Sequence, residues 1–380
     1  MEYRVLHGPA AIKYTHNNVV VFLSNASLLS SRGPSSGPRS GLDMRRTKSE
    51  YKNVLFPVQQ GEKLVGIARL AQHGKLLRAK TDVEYFELPS RSILNRCTSA
   101  RMPFDWTINP YRGCEFGCKY CYARYTHEFL GLDDGQLFER KIYAKQQAAR
   151  ILKQELRRHR EGSIAIGTST DPYQPAERRF EVSRSILEVF AAGRGRSLSI
   201  TTKSDLIVRD IGLLDVIGRR NMLHVNMTVT TTDPELARKL EPRAPRPALR
   251  LEAVRRLAER GISAGVFANP IMPLLTDSLE NLDKLAIEAE RAGARYFGGG
   301  TLFLMPCAQS QFFPFLEKEF PSLLQRYRER YTQQPYLRGE YARLIRERVE
   351  QVRANHHLAG SPQPYQPEEW ITEPQRKLFE

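Results

Sequence analysis

The chain has 380 residues, and 41% of them are hydrophobic, which is enough to bury the core of one large domain or two small ones. No apolar run approaches the length of about 18 residues that a membrane helix needs, and no basic cluster precedes the short apolar run at residues 19–23, so the sequence predicts a cytoplasmic protein without a secretory signal. The net charge of +16, from 58 basic and 42 acidic residues, favours a polyanionic partner or a phosphate-bearing substrate.

The first part of the chain predicts no stable domain of its own. Residues 1–48 lack sustained periodicity and include a stretch rich in Ser, Gly and Pro, which is typical of a flexible linker. Two interpretations stay open: a disordered extension, or an artefact of start-site choice, because Met44 lies near its end. Residues 49–105 are mixed and basic, with strand-like pieces at 63–70 and 83–88, and we expect them to pack on the domain that follows.

A regular alternation of strands and helices begins at Trp106 and continues to residue 305. The predicted strands cover residues 107–111, 163–168, 197–202, 223–230, 262–268 and 295–304. The predicted helices between them cover residues 143–160, 176–192, 205–219, 247–260 and 278–292. This alternation predicts an α/β fold whose parallel sheet is either doubly wound or curled into a partial barrel. Residues 306–380 predict a C-terminal helical region and then a Pro-rich tail.

Local signals predict several helix boundaries. Asp277, with Glu280 three residues later, matches a capping box at the start of the fifth helix. Glycines stand where helices are expected to end, at Gly193, Gly218, Gly261 and Gly293.

Three of the five cysteines lie close together, at Cys114, Cys118 and Cys121, directly after the first predicted strand. An odd number of cysteines with three clustered is not typical of a disulfide framework. Three thiolates on one short loop can each bind one iron of a cubane cluster, and without a fourth nearby cysteine one iron stays open to another ligand. The spacing therefore indicates iron–sulfur chemistry. The alternative is a zinc-containing nucleic-acid-binding protein, in which His127 completes a Cys₃His site.

Polar or glycine-rich clusters directly follow the later predicted strands, at residues 168–171, 201–204, 228–233 and 298–301. In a parallel α/β layout these loops leave the same edge of the sheet, and this is the edge where ligands bind. We therefore expect the clusters to converge on the cysteine loop.

The signature formed by Cys114, Cys118, Tyr120 and Cys121 resembles that of the radical SAM enzymes. The Asn-Pro-Tyr-Arg-Gly before it and the Tyr-Ala-Arg after it resemble the version used in the spore photoproduct lyase-like group. The resemblance implies a partial (β/α)6 TIM-type barrel of the radical SAM type, a [4Fe–4S] cluster on the three cysteines, and S-adenosylmethionine at the unique iron. It further implies a 5′-deoxyadenosyl radical that abstracts hydrogen from a substrate, and an electron donor such as flavodoxin or ferredoxin.

The resemblance also suggests cofactor contacts on the first two loops. Tyr120 matches the aromatic residue that lines the adenine side. Ser169, Thr170 and Asp171 occupy the loop where the family often places Gly-Gly-Glu to bind the methionine ammonium. Asp171 or the two hydroxyls would take that role here.

Later strands contribute the remaining candidates. Lys203 is expected to pair with the methionine carboxylate, and Asn226 or Thr228 to meet the carboxylate or the ribose. Spore photoproduct lyase carries a hydrogen-donating cysteine on its second barrel strand, and residues 163–168 contain none. Cys307, just past the last predicted strand, is either an alternative hydrogen donor or a buried structural thiol.

The substrate stays open in the sequence. Two basic segments, at residues 140–160 and 238–260, would supply phosphate contacts to DNA or RNA if they flank the mouth of the barrel. Solvated helix faces would explain the same charge. A peptide or a small phosphorylated metabolite is also compatible with these residues.

Overall fold

The computed structural model describes residues 64–99, 102–132, 134–159 and 161–371, together with two short paired strands, β1 (Arg4–Val5) and β2 (Ile12–Lys13). The rest of the extension predicted over residues 1–48 lies outside the described residues, as does the end of the predicted tail. The further strands are β3 (Leu76–Ala79), β4 (Glu84–Leu88), β5 (Leu94–Arg96), β6 (Trp106–Ile108), β7 (Tyr111–Arg112), β8 (Lys141–Lys145), β9 (Ser163–Ile166), β10 (Ser197–Thr202), β11 (Met222–Thr228), β12 (Ser263–Ile271) and β13 (Phe297–Thr301).

The α-helices lie between and after these strands. They are α1 (Gly66–Gln72), α2 (Leu137–Arg140), α3 (Ala148–Arg158), α4 (Glu177–Phe180), α5 (Val182–Ala192), α6 (Ile211–Arg220), α7 (Pro234–Leu240), α8 (Pro247–Glu259), α9 (Leu279–Arg291), α10 (Pro306–Glu319), α11 (Pro321–Tyr331), α12 (Gly339–Asn355) and α13 (Glu368–Ile371). The 3₁₀ helices Tyr122–Leu130 and Asp205–Asp210 follow the cysteine loop and β10. None of the helices in the described part of the chain combines the length and the apolar character that a membrane crossing requires.

The main sheet has seven strands in the order β13-β12-β11-β10-β9-β6-β5. In this sheet β6 and the strands from β9 to β13 are parallel, and β5 pairs antiparallel with β6 at the edge. Because the parallel strands follow each other in chain order across the sheet, without the reversal of a doubly wound fold, the arrangement is that of a partial barrel. The predicted α/β partial-barrel class is confirmed, and β5 and β13 form the two edges of an open sheet.

The core lies between the sheet and the crossover helices. Each crossover helix carries one apolar stripe, and the residues Ile186, Leu214, Val254 and Leu282 on α5, α6, α8 and α9 are 0% exposed. Burying one such side chain contributes about 1.5–3 kcal/mol. The apolar periodicity therefore fixes which side of each helix faces the sheet.

A second sheet, in the order β3-β4-β8-β7, packs beside the first and was not predicted. Its strand β8 lies where the sequence predicts the beginning of the helix at 143–160. The local sequence pattern predicted a helix there because it carries no information about the strand that pairs with β8. That strand is β4, which lies far away in the chain and runs parallel to β8. The strand predicted at 83–88 is confirmed as β4, whereas residues 63–70, predicted as strand-like, contain the start of helix α1.

The helix-boundary predictions are partly confirmed. Gly193, Gly261 and Gly293 follow helices, and the last two have φ of 73° and 72°, which favours glycine. Gly218 lies inside α6, so that prediction is wrong. The N-cap of α9 is Ser278, whose Oγ accepts from the amide of Asn281 at 3.1 Å.

Asp277 is therefore not the cap of α9. Its Oδ1 accepts from the amide of Leu274 at 2.8 Å, and its Oδ2 accepts from the hydroxyl of Tyr341 at 2.7 Å. The carboxylate thus joins the loop before α9 to helix α12, which packs against α9 and β13.

The C-terminal region covers two ends of the barrel. Phe312 and Phe315 of α10 pack in one apolar cluster with Phe116 and Leu240, so the helices α10 and α11 cover the cysteine loop. At the opposite, amino-terminal edge, the hydroxyl of Tyr365 accepts from the amide of Leu223 at 2.8 Å. The chain after α12 therefore runs along the amino-terminal edge of the sheet.

The later parts of the two basic segments lie away from the mouth of the barrel, whereas the segment at residues 238–260 begins beside the cysteine loop, where the amide of Arg243 donates to the carbonyl of Phe116 at 3.2 Å. Crossover helices run antiparallel to the strands, so the last turns of α3 and α8 lie near the amino-terminal edge, opposite the cysteine loop. Arg157 and Arg158 stand in the last turn of α3. Arg255 of α8 bonds to Glu252 and Glu259 of its own helix. Much of the predicted basic face is thus distant from the loops that converge on the cysteines.

Candidate active site

The cysteine loop begins directly after β7 and is shaped by a glycine. Cys114 and Cys118 are buried and Cys121 is half-buried. Gly113 has φ of 80°, and a Cβ at this position would lie 2.7 Å from the carbonyl oxygens of Phe138 and Lys141. Only glycine fits there, because the backbone must approach the neighbouring chain closely.

A buried arginine holds the loop from the other side. Arg124 is 2% exposed, and its guanidinium donates to the carbonyl of Cys118 at 3.0 Å and to that of Gly135 at 2.7 Å. It also forms an ion pair with Glu139 at 2.7 Å. The planar guanidinium thus satisfies several acceptors at once and fixes the path of the chain between Cys118 and Cys121.

The surroundings of the thiols disfavour a free thiolate. Burial raises the pKa of Cys114 well above its ordinary value and that of Cys118 to about 12, although Lys203 acts to lower the latter. Burial also raises the pKa of Cys121, and Arg124 opposes that shift. Buried cysteines of this kind lose their protons when a metal binds them.

These residues fit an iron–sulfur cluster better than a single zinc ion. In the part of the chain that the structure describes, no group of three or more His, Cys, Asp or Glu side chains is arranged to hold one metal ion. His127 lies against the ring of Phe138, and its Nε2 is 3.0 Å from the carbonyl of Lys141. The alternative Cys₃His site is thus not formed. Thiolates of a cubane bind different irons, so they need not converge on one point.

The loop after β9 is tied to the cysteine loop by side chains. Thr170 Oγ1 and Gln174 Nε2 donate to the carbonyl of Gly113 at 2.6 and 3.0 Å. Gln174 Oε1 accepts from the amide of Glu115 at 3.0 Å. The hydroxyl of Thr170, a predicted cofactor contact, therefore supports the loop. Gln174 was not singled out in the sequence, because its partners are backbone groups.

The start of the same loop is held by an amide and a tyrosine. Asn109 Oδ1 accepts from the amide of Ser169 at 2.7 Å, and Asn109 Nδ2 donates to Thr168 at 3.1 Å. Tyr122, the residue after Cys121, donates its hydroxyl to the carbonyl of Thr168. The half-buried Ser169 is thereby placed between the carboxyl ends of β6 and β9.

Asp171 joins the loop after β9 to the end of β10. Its carboxylate accepts from Thr202 Oγ1 at 2.7 Å, from the amide of Lys203 at 2.8 Å and from that of Tyr173 at 2.9 Å. Burial raises the pKa of Asp171, and these hydrogen bonds oppose the shift. A carboxylate offers about four lone-pair sites, so one remains for a further donor.

Lys203 brings a cation next to the cysteine loop. Its Nζ lies 5.9 Å from the ring centroid of Tyr120. Burial lowers the pKa of Lys203, but the nearby Cys118 and Glu241 raise it, and the net shift is upward. The ammonium is therefore stable in its charged form and faces the predicted cofactor region.

Glu241 and Arg250 form a buried ion pair beneath Tyr120 that the sequence did not reveal. The hydroxyl of Tyr120 donates to Glu241, and Arg250 Nη2 lies 2.6 Å from Glu241 Oε2. The side chain of Glu241 is 0% exposed and that of Arg250 is 1% exposed. Arg250 Nη1 also donates to the carbonyl of Thr228 at 3.1 Å. The pair therefore connects the cysteine loop to β11 and α8.

Asn226 and Thr228 lie inside the barrel on β11 and are buried. Asn226 Nδ2 donates to Thr201 Oγ1 at 3.1 Å, and its Oδ1 accepts from the hydroxyl of Tyr296 at 2.8 Å. The amide of Asn226 thus already links β10 to the residue before β13.

Cys307 lies near the start of α10 and packs against the 3₁₀ helix that follows the cysteines. Its thiol is 3.8 Å from the carbonyl of Tyr122. Burial raises the pKa of Cys307 to about 12. The structure therefore brings this thiol close to the cysteine loop, on the side of the covering helix.

Half-buried aromatic side chains form a rim at the end of β13. The ring centroids of Tyr122 and Phe303 lie 6.1 Å apart, and those of Phe303 and Tyr336 lie 6.3 Å apart in a stacked arrangement. Arg338 lies over the ring of Tyr336 at 4.3 Å. We call these four residues the aromatic rim.

Comparisons with known proteins find similar sequences. The sequence model of the Radical SAM superfamily matches residues 108–289. An uncharacterized protein of Mycobacterium tuberculosis is 36% identical over 317 residues, which cover 82% of this chain and 93% of that protein. An uncharacterized protein of Methanocaldococcus jannaschii is 32% identical over 172 residues, which cover 45% of this chain and 62% of that protein.

Solved structures of spore photoproduct lyase share the fold. The enzyme complexed with dinucleoside spore photoproduct matches with a TM-score of 0.55 at 16% identity, over 72% of this chain and 79% of that chain. A mutant of the enzyme with bound AdoMet and the same dinucleoside also gives a TM-score of 0.55 at 16% identity, over 71% of this chain and 79% of that chain.

The buried ion pair generates a test of how the loop is supported. Replacing Glu241 by Gln leaves Arg250 buried without its counter-charge, so we expect a loss of about 3–5 kcal/mol in the free energy of unfolding. The double variant Glu241→Gln/Arg250→Met should lose less than the sum of the two single variants. Urea unfolding measures all of these values. Glu252→Gln, which removes an exposed partner of Arg255, is the control and should cause no measurable loss. Strict additivity of the two single losses would contradict the coupling.

Proposed function

The chain belongs to the radical SAM superfamily, and we propose that it is an enzyme that holds a [4Fe–4S] cluster on Cys114, Cys118 and Cys121 and binds S-adenosylmethionine beside it. The single observation that carries this proposal is that one loop presents three buried or half-buried thiols, with the ammonium of Lys203 5.9 Å from the ring centroid of Tyr120 in the same loop. When bound, the cluster and S-adenosylmethionine would together supply a 5′-deoxyadenosyl radical that abstracts hydrogen from the substrate.

The residues of the chain would bind and orient the S-adenosylmethionine. Lys203 would pair with the methionine carboxylate, because its ammonium stays charged at the edge of the cysteine loop. Asp171 would use its remaining lone-pair site for the methionine ammonium, with Ser169 beside it. Tyr120 would bound the adenine side, and Asn226 or Thr228 would close the pocket from within the barrel.

We further propose nucleic acid as the substrate class. The aromatic rim offers half-buried aromatic surface against which unpaired bases can pack, and Arg338 adds a cation at the same place. The net charge of +16 favours association with a polyanion. One solved structure with this fold is a complex with dinucleoside spore photoproduct, which supports the same substrate class. The basic ends of α3 and α8 do not contribute to this proposal, since they lie at the opposite edge.

Cys307 stays the candidate hydrogen donor.

The cysteine assignment predicts the iron content of the protein. Anaerobically reconstituted protein should bind about four iron and four sulfide per chain, and Cys118→Ala should abolish this binding. Cys97→Ala, which removes a cysteine outside the loop, is the matched control and should keep the full content. Iron analysis and the visible absorption of the cluster provide the measurement. Full iron content in Cys118→Ala would rule out the ligand set.

The role of Lys203 predicts a specific loss of cofactor affinity. Lys203→Met should weaken S-adenosylmethionine binding by at least about tenfold, because a charge-assisted hydrogen bond contributes about 1.5–3 kcal/mol. The iron content should stay unchanged. Calorimetric titration of the reconstituted protein measures the affinity, and Lys153→Met on the exposed face of α3 serves as the control. Equal affinities in the two variants would show that Lys203 does not contact the cofactor.

The aromatic rim predicts where single-stranded nucleic acid binds. Phe303→Ala and Tyr336→Ala should each weaken the binding of a short oligonucleotide by about tenfold, since one stacked base contributes about 1–3 kcal/mol. The double variant Arg157→Gln/Arg158→Gln, at the opposite edge, should bind like the parent. Fluorescence anisotropy over a range of salt concentrations gives these affinities. The reverse pattern would place nucleic acid on the helix faces, and no binding by the parent would direct the search for substrates to peptides and metabolites.

A further inference from the structure

Two cations lie on the face of the second sheet that is turned away from the barrel, Arg112 on β7 and Lys145 on β8. Arg112 of β7 pairs in register with Tyr143 of β8, so the two side chains share one face of the sheet. Lys145 is two residues beyond Tyr143 and therefore lies on the same face. Diagonal neighbours of this kind are separated by roughly 7–8 Å. One small ligand can therefore contact both cations.

Lys145 and Arg112 are enclosed by the protein. Lys145 is 5% exposed, and Arg112 is half-buried with its Nε fully enclosed. Across residues 64–99, 102–132, 134–159 and 161–371, neither side chain has a hydrogen-bonding partner or an ion pair. Burying a charge without a partner is costly. The arrangement therefore lacks a counter-charge from the described chain.

The acid nearest in effect to Lys145 is already engaged. Glu155 of α3 raises the pKa of Lys145, but its carboxylate accepts from Ser92 Oγ at 2.6 Å and from the amides of Ile93 and Leu94 at 3.1 and 2.9 Å. Glu155 therefore holds the segment before β5 in place and forms no ion pair with Lys145.

Other buried cations in the described residues show what a paired site looks like. Arg124 has Glu139 at 2.7 Å, and Arg250 has Glu241 at 2.6 Å. By contrast, burial and then the charge of Arg112 lower the pKa of Lys145 to about 7. Lys145 and Arg112 thus differ from the structural ion pairs of the same protein, since each of those contains its own carboxylate.

We propose that Lys145 and Arg112 form a binding site for an oxyanion of the phosphate type. A phosphate group carries a charge of about −1.5 to −2 near neutral pH and presents several acceptor oxygens, so it matches two adjacent cations. The planar guanidinium of Arg112 can bind two of these oxygens, while the ammonium of Lys145 acts as a point charge. Tyr125 interacts electrostatically with Arg112 and lies at the border of this site.

The site is separate from the proposed cofactor pocket. Tyr111, the neighbour of Arg112, belongs to the core between the second sheet and the barrel, so Arg112 projects from the other face. The site therefore does not depend on the proposed reaction. Its phosphate could be a free or terminal one, or it could belong to the backbone of a nucleic acid.

Calorimetry with inorganic phosphate tests the site on the reconstituted full chain. The parent should bind phosphate, and Lys145→Met and Arg112→Gln should each weaken binding by at least about tenfold, because each removes one charge-assisted contact. Lys153→Met, which removes an exposed lysine of α3, is the matched control and should bind like the parent. Equal affinities in Lys145→Met and Lys153→Met would overturn the proposal, as would absence of binding by the parent.

Thermal unfolding keeps the proposal testable if a variant folds poorly. In phosphate-free buffer, Lys145→Met should unfold at a higher temperature than the parent, because an unpaired buried charge has been removed. Phosphate should raise the unfolding temperature of the parent but not of the variant. A lower temperature for Lys145→Met in phosphate-free buffer, with no response of the parent to phosphate, would overturn the proposal.

Competition identifies the source of the phosphate. A short thymidine oligonucleotide without terminal phosphates should displace inorganic phosphate if the site takes the nucleic acid backbone. A nucleoside monophosphate should displace it, and the oligonucleotide should not, if the site takes a free or terminal phosphate. Displacement by neither probe would show that a phosphate ester does not enter the site and would restrict the proposal to the inorganic ion.

Discussion

The buried ion pair between Glu241 and Arg250 is the interaction on which the arrangement of the cysteine loop depends. Both side chains are almost completely removed from solvent, and the hydroxyl of Tyr120 donates to the same carboxylate. Charges buried this deeply are stable only with a partner. Because Arg250 also donates to the carbonyl of Thr228, the pair fixes the aromatic residue before Cys121 relative to the carboxyl end of β11. Cys118 and Glu241 both raise the pKa of Lys203, which explains why its ammonium stays charged despite burial.

Many polar side chains near the cysteines form hydrogen bonds that hold the loops in place. Thr170 and Gln174 bind the backbone next to Cys114, and three groups of the protein donate to Asp171. Side chains that are already hydrogen-bonded lose little freedom when a ligand arrives, so the site is organised before it is filled. The same bonds reduce the number of groups available for direct contact. Lys203 therefore stands out, because its ammonium has opposite charges nearby and projects toward the cysteine loop.

The sequence predicted the barrel well because its signals are local. Apolar runs of strand length alternate with amphipathic helices, and the loops that follow parallel strands must share one edge. The second sheet was missed because β8 is a short segment whose partner β4 is distant in the chain. Glu241 and Arg250 were missed for another reason: Glu241 follows α7 and Arg250 lies in α8, and an ion pair across such a turn has no spacing that a single sequence reveals. The strand-like piece predicted at residues 63–70 was wrong because a short apolar pattern fits a strand and a helix equally well.

Net charge was a poor guide to position, and the pairing of each cation explains why. Arg255 bonds to two glutamates of its own helix, and Arg209 bonds to Asp210 and Glu177, so neither offers a free charge to a partner. A basic run in a sequence counts such residues equally with unpaired ones. Lys145 belongs to the basic segment at residues 140–160 but lies on strand β8, and Arg112 belongs to neither basic segment. The described chain provides these two cations with no counter-charge. The sites where this protein binds anions are therefore determined by which cations lack partners after folding, and only the structure distinguishes them.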